Sequence, residues 1–177
     1  MSLKRSMISA GAIALSVIGL GLSISLAGAQ GAQPSLLGTF EDWEAYKTTD
    51  TRGTVCYAIS APKVKLPAAA KRDSVYFLLT SWPGAKISNE PSLLIGYPFK
   101  DGSKASVQVG ADKFEFFTKV DGGWMPTGPD EGKLVASMRS TAEMTVKGTS
   151  KRGTNTTDTY SLKGLSAALD KVAEGCK

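Results

Sequence analysis

The chain has 177 residues and a formal net charge of +5, and it contains no histidine. The missing histidine removes the usual general base at neutral pH, the Ser-His-Asp and Cys-His arrangements, and the commonest metal ligand. The small positive excess is spread among apolar and acidic residues, without the basic patch that a nucleic-acid interface needs.

The first residues read as a targeting signal. Lys4 and Arg5 form a positive n-region, and an uncharged run follows from Ser6 to Gln33, with an apolar heart from Ile8 to Leu26. Ala27-Gly28-Ala29 has the small-x-small pattern that signal peptidase reads, so residues 1–29 are expected to be a cleaved signal peptide. The apolar run is long for such a peptide, and an uncleaved anchor is the alternative. Interspersed glycines and serines thin its hydrophobicity and favour cleavage. Ala29 stands where a bacterial lipoprotein needs cysteine, which excludes lipid anchoring by that route. Residues 30–38 read as a polar tether and residues 39–177 as one domain, large enough for a single core. No stable membrane span is expected after cleavage.

From there the periodicity is mostly two. Val55, Tyr57 and Ile59 alternate with Cys56, Ala58 and Ser60, which predicts a half-buried strand stopped by Pro62. Val75 to Trp82 is apolar on both faces and reads as a central strand ended by Pro83-Gly84. A further strand is expected from Leu93 through Phe99, turning at Lys100-Asp101-Gly102-Ser103. Ser106–Val109 and Lys113–Val120 predict a hairpin about Gly110-Ala111-Asp112, with Phe114 and Phe116 on one face and Glu115 and Lys119 on the other. Gly122-Gly123 leads into a short strand at Trp124. Asp130–Ser140 predicts a helix, with acids in its first turn and Arg139 in its last, as the helix dipole favours. Met144 and Val146, then Asp158, Tyr160 and Leu162, mark two strands linked near Lys151–Asn155. The threonines of that stretch suit strand positions. Its basic turn joins two strands rather than leading a strand into a helix, so it is not a phosphate loop. Leu165, Ala168, Leu169, Val172 and Ala173 form the apolar stripe of a C-terminal helix that Gly175 stops. About eight short strands with Gly, Pro and Asp turns predict a mainly β domain. We expect an antiparallel sandwich or partly open barrel with two short helices.

Cys56 and Cys176 are the only cysteines. Export implies an oxidising compartment, and an even count suits one disulfide; two free thiols are the alternative. The bridge would tie an early strand to the C-terminus, which otherwise tends to fray.

No residue set reads as catalytic. Ser60-Ala61-Pro62-Lys63 matches S-x-x-K, but the accompanying S-D-N and K-T-G motifs are missing, and a strand leaving into a loop is the plain reading. Asp130-Glu131 is explained by its place in a helix's first turn. Asn155-Thr156-Thr157 matches a glycosylation acceptor that matters only in a eukaryotic secretory path. Trp43, Trp82 and Trp124 are expected to pack in the core or at strand edges, with a ligand-lining surface as the alternative. There is no Walker loop, GxGxxG or EF-hand spacing, and neither cofactor nor metal is expected. Lys151, Arg152, Asp158 and Tyr160 are the residues a small-ligand site would use.

Several blocks in order carry a family resemblance. "WEAYK" and "CYAIS" come first, then "PGAKISNEPSLLIGYPFKDGS", "VQVGADKFEFFTK" and "LVASMRS". "MTVKGTSKRGTNTTDTYSLKGLSAALDKVAEGC" closes the series. Together they resemble the invasion-associated locus B family over about Phe40 to Cys176, most densely from Met144 to Leu169. Pro91 departs from the pattern and is expected to shorten or bend its strand. The resemblance implies an exported protein of alphaproteobacteria, periplasmic or envelope-associated, with a part in red-cell entry among pathogenic members. It supplies no catalytic residues to carry over. The expected function is therefore non-enzymatic binding of an envelope or host protein; a periplasmic small-ligand binder or an enzyme is the alternative.

Overall fold

The computed structural model describes residues 33–126 and 128–177. The expected signal peptide and the start of the tether lie outside the described residues. Among the described residues, eleven strands form one antiparallel sheet. They are β1 (Ser35–Phe40), β2 (Trp43–Asp50), β3 (Gly53–Ser60), β4 (Val64–Leu66), β5 (Tyr76–Trp82) and β6 (Ile87–Leu94), followed by β7 (Lys104–Val109), β8 (Asp112–Lys119), β9 (Gly122–Trp124), β10 (Glu143–Thr149) and β11 (Asn155–Ser161). Two helices complete the domain, α1 (Pro129–Ser140) and α2 (Leu165–Gly175). The strands lie in the order β1-β2-β3-β5-β6-β9-β8-β7-β10-β11-β4. The fold is thus mainly β with two helices, the second C-terminal, as the sequence predicts.

The sheet curls around one core without closing. Phe77 on β5 meets Phe116 on β8 and Tyr160 on β11 edge to face, each with ring centroids 6.1 Å apart. Strands distant in the sheet order therefore share one interior. β1 and β4 remain as edges. At one rim the two ends are drawn together: the Trp43 indole donates to the Ser161 carbonyl at 3.0 Å, and Lys63 pairs with Asp42. Leu165, Ala168, Leu169 and Val172 of α2 and Leu134 and Met138 of α1 join the same buried cluster as Trp43, Phe77, Leu79 and Val107. Both helices thus spend their apolar faces on the inside of the sheet. Cys56 and Cys176 are bonded, with Cα atoms 5.9 Å apart, which fastens the end of α2 to β3.

The structure departs from the sequence reading in several places, beginning with eleven strands where the sequence predicts about eight. Ser35–Gly38, expected in the tether, belongs to β1. The strand expected from Leu93 through Phe99 ends at Leu94, and its sheet-paired part lies upstream in Ile87–Leu94. Gly96 breaks it, with φ at +75° and a site where any Cβ would collide with the Asp73 backbone. Ile95, Tyr97 and Phe99 still alternate into the core from that irregular segment. Pro91 does not shorten β6, which runs through it paired to Leu79 of β5. The far side of β6 is different: its pairing with β9 covers only Ser92–Leu94. A residue lacking an N–H suits a position next to the end of a ladder.

Candidate functional site

The four residues expected to serve a ligand do not converge. Lys151 and Arg152 sit exposed in the β10–β11 turn. Asp158 and Tyr160 point inward from β11 and are fully buried. The Asp158 carboxylate accepts two hydrogen bonds of 2.6 Å from the Arg72 guanidinium. Arg72 reaches in from the β4–β5 loop, and its Nε and Nη2 also donate to the Ile95 carbonyl at 3.0 and 2.7 Å. Its guanidinium lies 5.2 Å from the centre of the Tyr97 ring. The Tyr160 hydroxyl has no protein partner. Burial first, then the Asp158 charge, pushes its pKa far above the ordinary 10.0. This cluster is interior scaffolding.

Ser60 and Lys63 are also engaged elsewhere. The Ser60 hydroxyl donates to the Asp42 carbonyl at 2.7 Å, and the Lys63 ammonium sits on the Asp42 carboxylate. That partner, with a further bond from Ser161, holds Asp42 below the usual carboxylate range. Among the described residues no three acidic or cysteine side chains cluster as metal ligands, and no helix is long and apolar enough to cross a membrane.

The surface that stands out is the outer face of β2, β3 and β5. On β3 the smaller set, Cys56, Ala58 and Ser60, points inward, and Tyr57 and Ile59 stand half-buried on the outside. On β2, Trp43 and Ala45 go in and Glu44 and Tyr46 go out. Register places Tyr46 opposite Tyr57 and Glu44 opposite Ile59. Cross-strand neighbours on one face interact directly. Here the two phenol rings stack, with centroids 5.4 Å apart and planes at 18°. The Tyr46 hydroxyl donates to Glu44 Oε2 at 2.8 Å, which raises its pKa; burial raises that of Tyr57. With Tyr76, Ile59, Thr39, Glu41 and Lys63 these residues line an open cleft of about 550 Å³. Across the sheet the outer face continues through Leu78 and Ser92 to Trp124, which stacks on Phe117 at 6.0 Å. Of the three tryptophans, Trp43 is core, and Trp82 and Trp124 lie on the outside.

Period-two reading found β3 but did not assign its faces. The signal was present in Cys56: a cysteine bridging to a helix that packs inside forces its whole parity set inward, and hence Tyr57 and Ile59 outward.

The family model described as "Invasion associated locus B (IalB) protein" matches residues 47–173. No curated relative matches the chain. Among solved structures, the crystal structure of invasion associated protein b from Bartonella henselae is similar in fold, with a TM-score of 0.51 and 14% identity over 77% of this chain and 94% of that one. At that identity the likeness speaks for the fold alone. The family match takes in every strand from β3 to β11, both faces of the tyrosine cleft's central strand and most of α2, and on that span the chain belongs to the invasion associated locus B family.

Proposed function

We propose that this is an exported, envelope-associated protein that works by binding another protein rather than by catalysis, and that it docks through the outer face around Tyr46 and Tyr57. The observation that carries this reading is the placement of large aromatic side chains on the outer face of the sheet. Ala58 and Cys56 fill the inside of β3, and Tyr57 and Ile59 stand half-buried on its outer face. Partly exposed aromatic groups rimmed by polar residues are a feature of protein–protein interaction sites. The disulfide supports an oxidising compartment. In pathogenic relatives, binding of this kind would serve host-cell entry.

The test is chemical crosslinking on osmotically released periplasm from cells carrying the parent chain or Tyr57→Glu. The protein is expected in that fraction with Gln30 at its N-terminus. A discrete crosslinked species should form with the parent and be lost with Tyr57→Glu at unchanged melting temperature. Crosslinks indifferent to Tyr57→Glu, or retention of the protein in the cytoplasm, would overturn the reading.

A further inference from the structure

Among the described residues, two arginines lie over an aromatic ring and pair with a carboxylate. In the interior, Arg72 lies over Tyr97 and is gripped by Asp158. On the surface, the Arg52 guanidinium lies 4.3 Å from the centre of the Trp82 ring and bonds Asp50 at 3.0 Å. The tyrosine cleft has rings and carboxylates but no arginine among its lining residues. It holds the stacked faces of Tyr46 and Tyr57, with Glu44 and Glu41 at its rim. Its one basic lining residue, Lys63, is committed to Asp42. Among the described residues no lysine or arginine forms an ion pair with Glu41 or Glu44.

The geometry points to an arginine or lysine side chain on the partner protein as the group this cleft receives. The inference rests on the docking reading above and names the chemistry of that contact. A guanidinium over the Tyr57 ring gains from the ring's negative face and stays within reach of the Glu44 carboxylate, whose Oε2 is held in place by the Tyr46 hydroxyl. An anionic or phosphorylated segment would meet Glu41 and Glu44 with like charge. A neutral apolar segment would strip water from both carboxylates without replacing it. Electrostatic complementarity therefore selects a cationic segment.

The probe is a nine-residue peptide alternating glycine and arginine, compared with the same peptide carrying citrulline, which keeps the shape and loses the charge. Amide shifts of the oxidised full domain are followed by NMR at low and at physiological salt. The arginine peptide should shift residues of β2 and β3 around Glu44, Tyr46 and Tyr57, and bind less tightly as salt rises. The citrulline peptide should bind at least about fivefold more weakly. Glu44→Gln should weaken the arginine peptide by roughly three- to fivefold, the scale of one exposed ion pair. Tyr57→Ala should weaken it by roughly three- to fivefold, the scale of one exposed cation–π contact. Lys104→Ala, on a distant strand, should leave it unchanged. Equal binding of the two peptides, shifts confined to another surface, or no binding by either would overturn the inference. So would preferential binding of a chitin oligosaccharide, which also stacks on aromatic rings. If the peptides fail while native crosslinks still depend on Tyr57, the docking reading stands and only the cationic partner falls.

Discussion

Arg72 and Asp158 show what a single pair of side chains can hold. Both are almost fully removed from water, with side-chain exposures of 3% and 0%. Desolvating two charges costs more than a simple contact returns, unless the remaining donors and acceptors are also satisfied. Here most are: both Asp158 oxygens accept a bond, and Nε and Nη2 of Arg72 also reach the Ile95 carbonyl. The pair pins the β4–β5 loop and the irregular stretch after β6 onto β11. Arg72→Met should therefore cost about 3–5 kcal/mol in urea denaturation, because it strands a buried carboxylate. The double variant Arg72→Met/Asp158→Leu should recover most of that loss. A single-variant cost below about 1 kcal/mol would show that water reaches the carboxylate instead. Asp158 is visible in the sequence as an acid among threonines. Its partner is not, because Arg72 stands 86 residues away in a loop without periodicity. Polar residues on a strand read as outward-facing, and only the tertiary pair reverses that.

At the scale of elements, two glycines share one backbone conformation and differ in what surrounds them. Gly153 in the β10–β11 turn and Gly164 at the start of α2 both have φ of +85°. A Cβ on Gly153 would meet nothing, whereas one on Gly164 would overlap the Phe40 carbonyl oxygen. Gly153→Ala should cost only the left-handed penalty of about 1–2 kcal/mol. Gly164→Ala should cost about 2 kcal/mol more, because β1 must retreat from the helix or the helix from β1. Equal costs in urea denaturation would show that the α2–β1 junction yields freely. The sequence made the element types legible wherever period was strong. The β7–β8 and β10–β11 hairpins and both helices fall where Gly110, Gly153 and the apolar stripes put them. What it concealed were β1, β2 and β4. β1 lies in a short polar-flanked run, β4 has three residues, and β2 mixes Trp43 and Ala45 with Glu44 and Lys47. Short or edge strands draw their stability from a neighbour, and the neighbour is not local in sequence. The tyrosine cleft was hidden for the same reason, since Tyr46 and Tyr57 meet only once β2 and β3 are paired in register.

Across the whole molecule, the disulfide decides how much of the chain must stay together on unfolding. It closes a loop of 120 residues that holds every strand from β4 to β11 and both helices. In the chain-entropy account a loop of that size removes about 4–5 kcal/mol of freedom from the unfolded state. The native domain does not need the bond to locate α2, because Leu165, Leu169 and Val172 are buried in the shared core on their own account. Cys56→Ser/Cys176→Ser should therefore still fold, with an unchanged far-ultraviolet spectrum. Its stability should fall by about 4 kcal/mol, and its denaturant slope should rise, because the uncrosslinked unfolded chain exposes more surface. A purely local role predicts something else: fraying of α2 in hydrogen exchange, with global stability and slope unchanged. The slope separates the two, since only a bond acting on the unfolded ensemble can alter how much surface that ensemble exposes. The same arithmetic places the protein's full stability in an oxidising compartment, and chains kept reduced should show the lower denaturation midpoint of the serine variant.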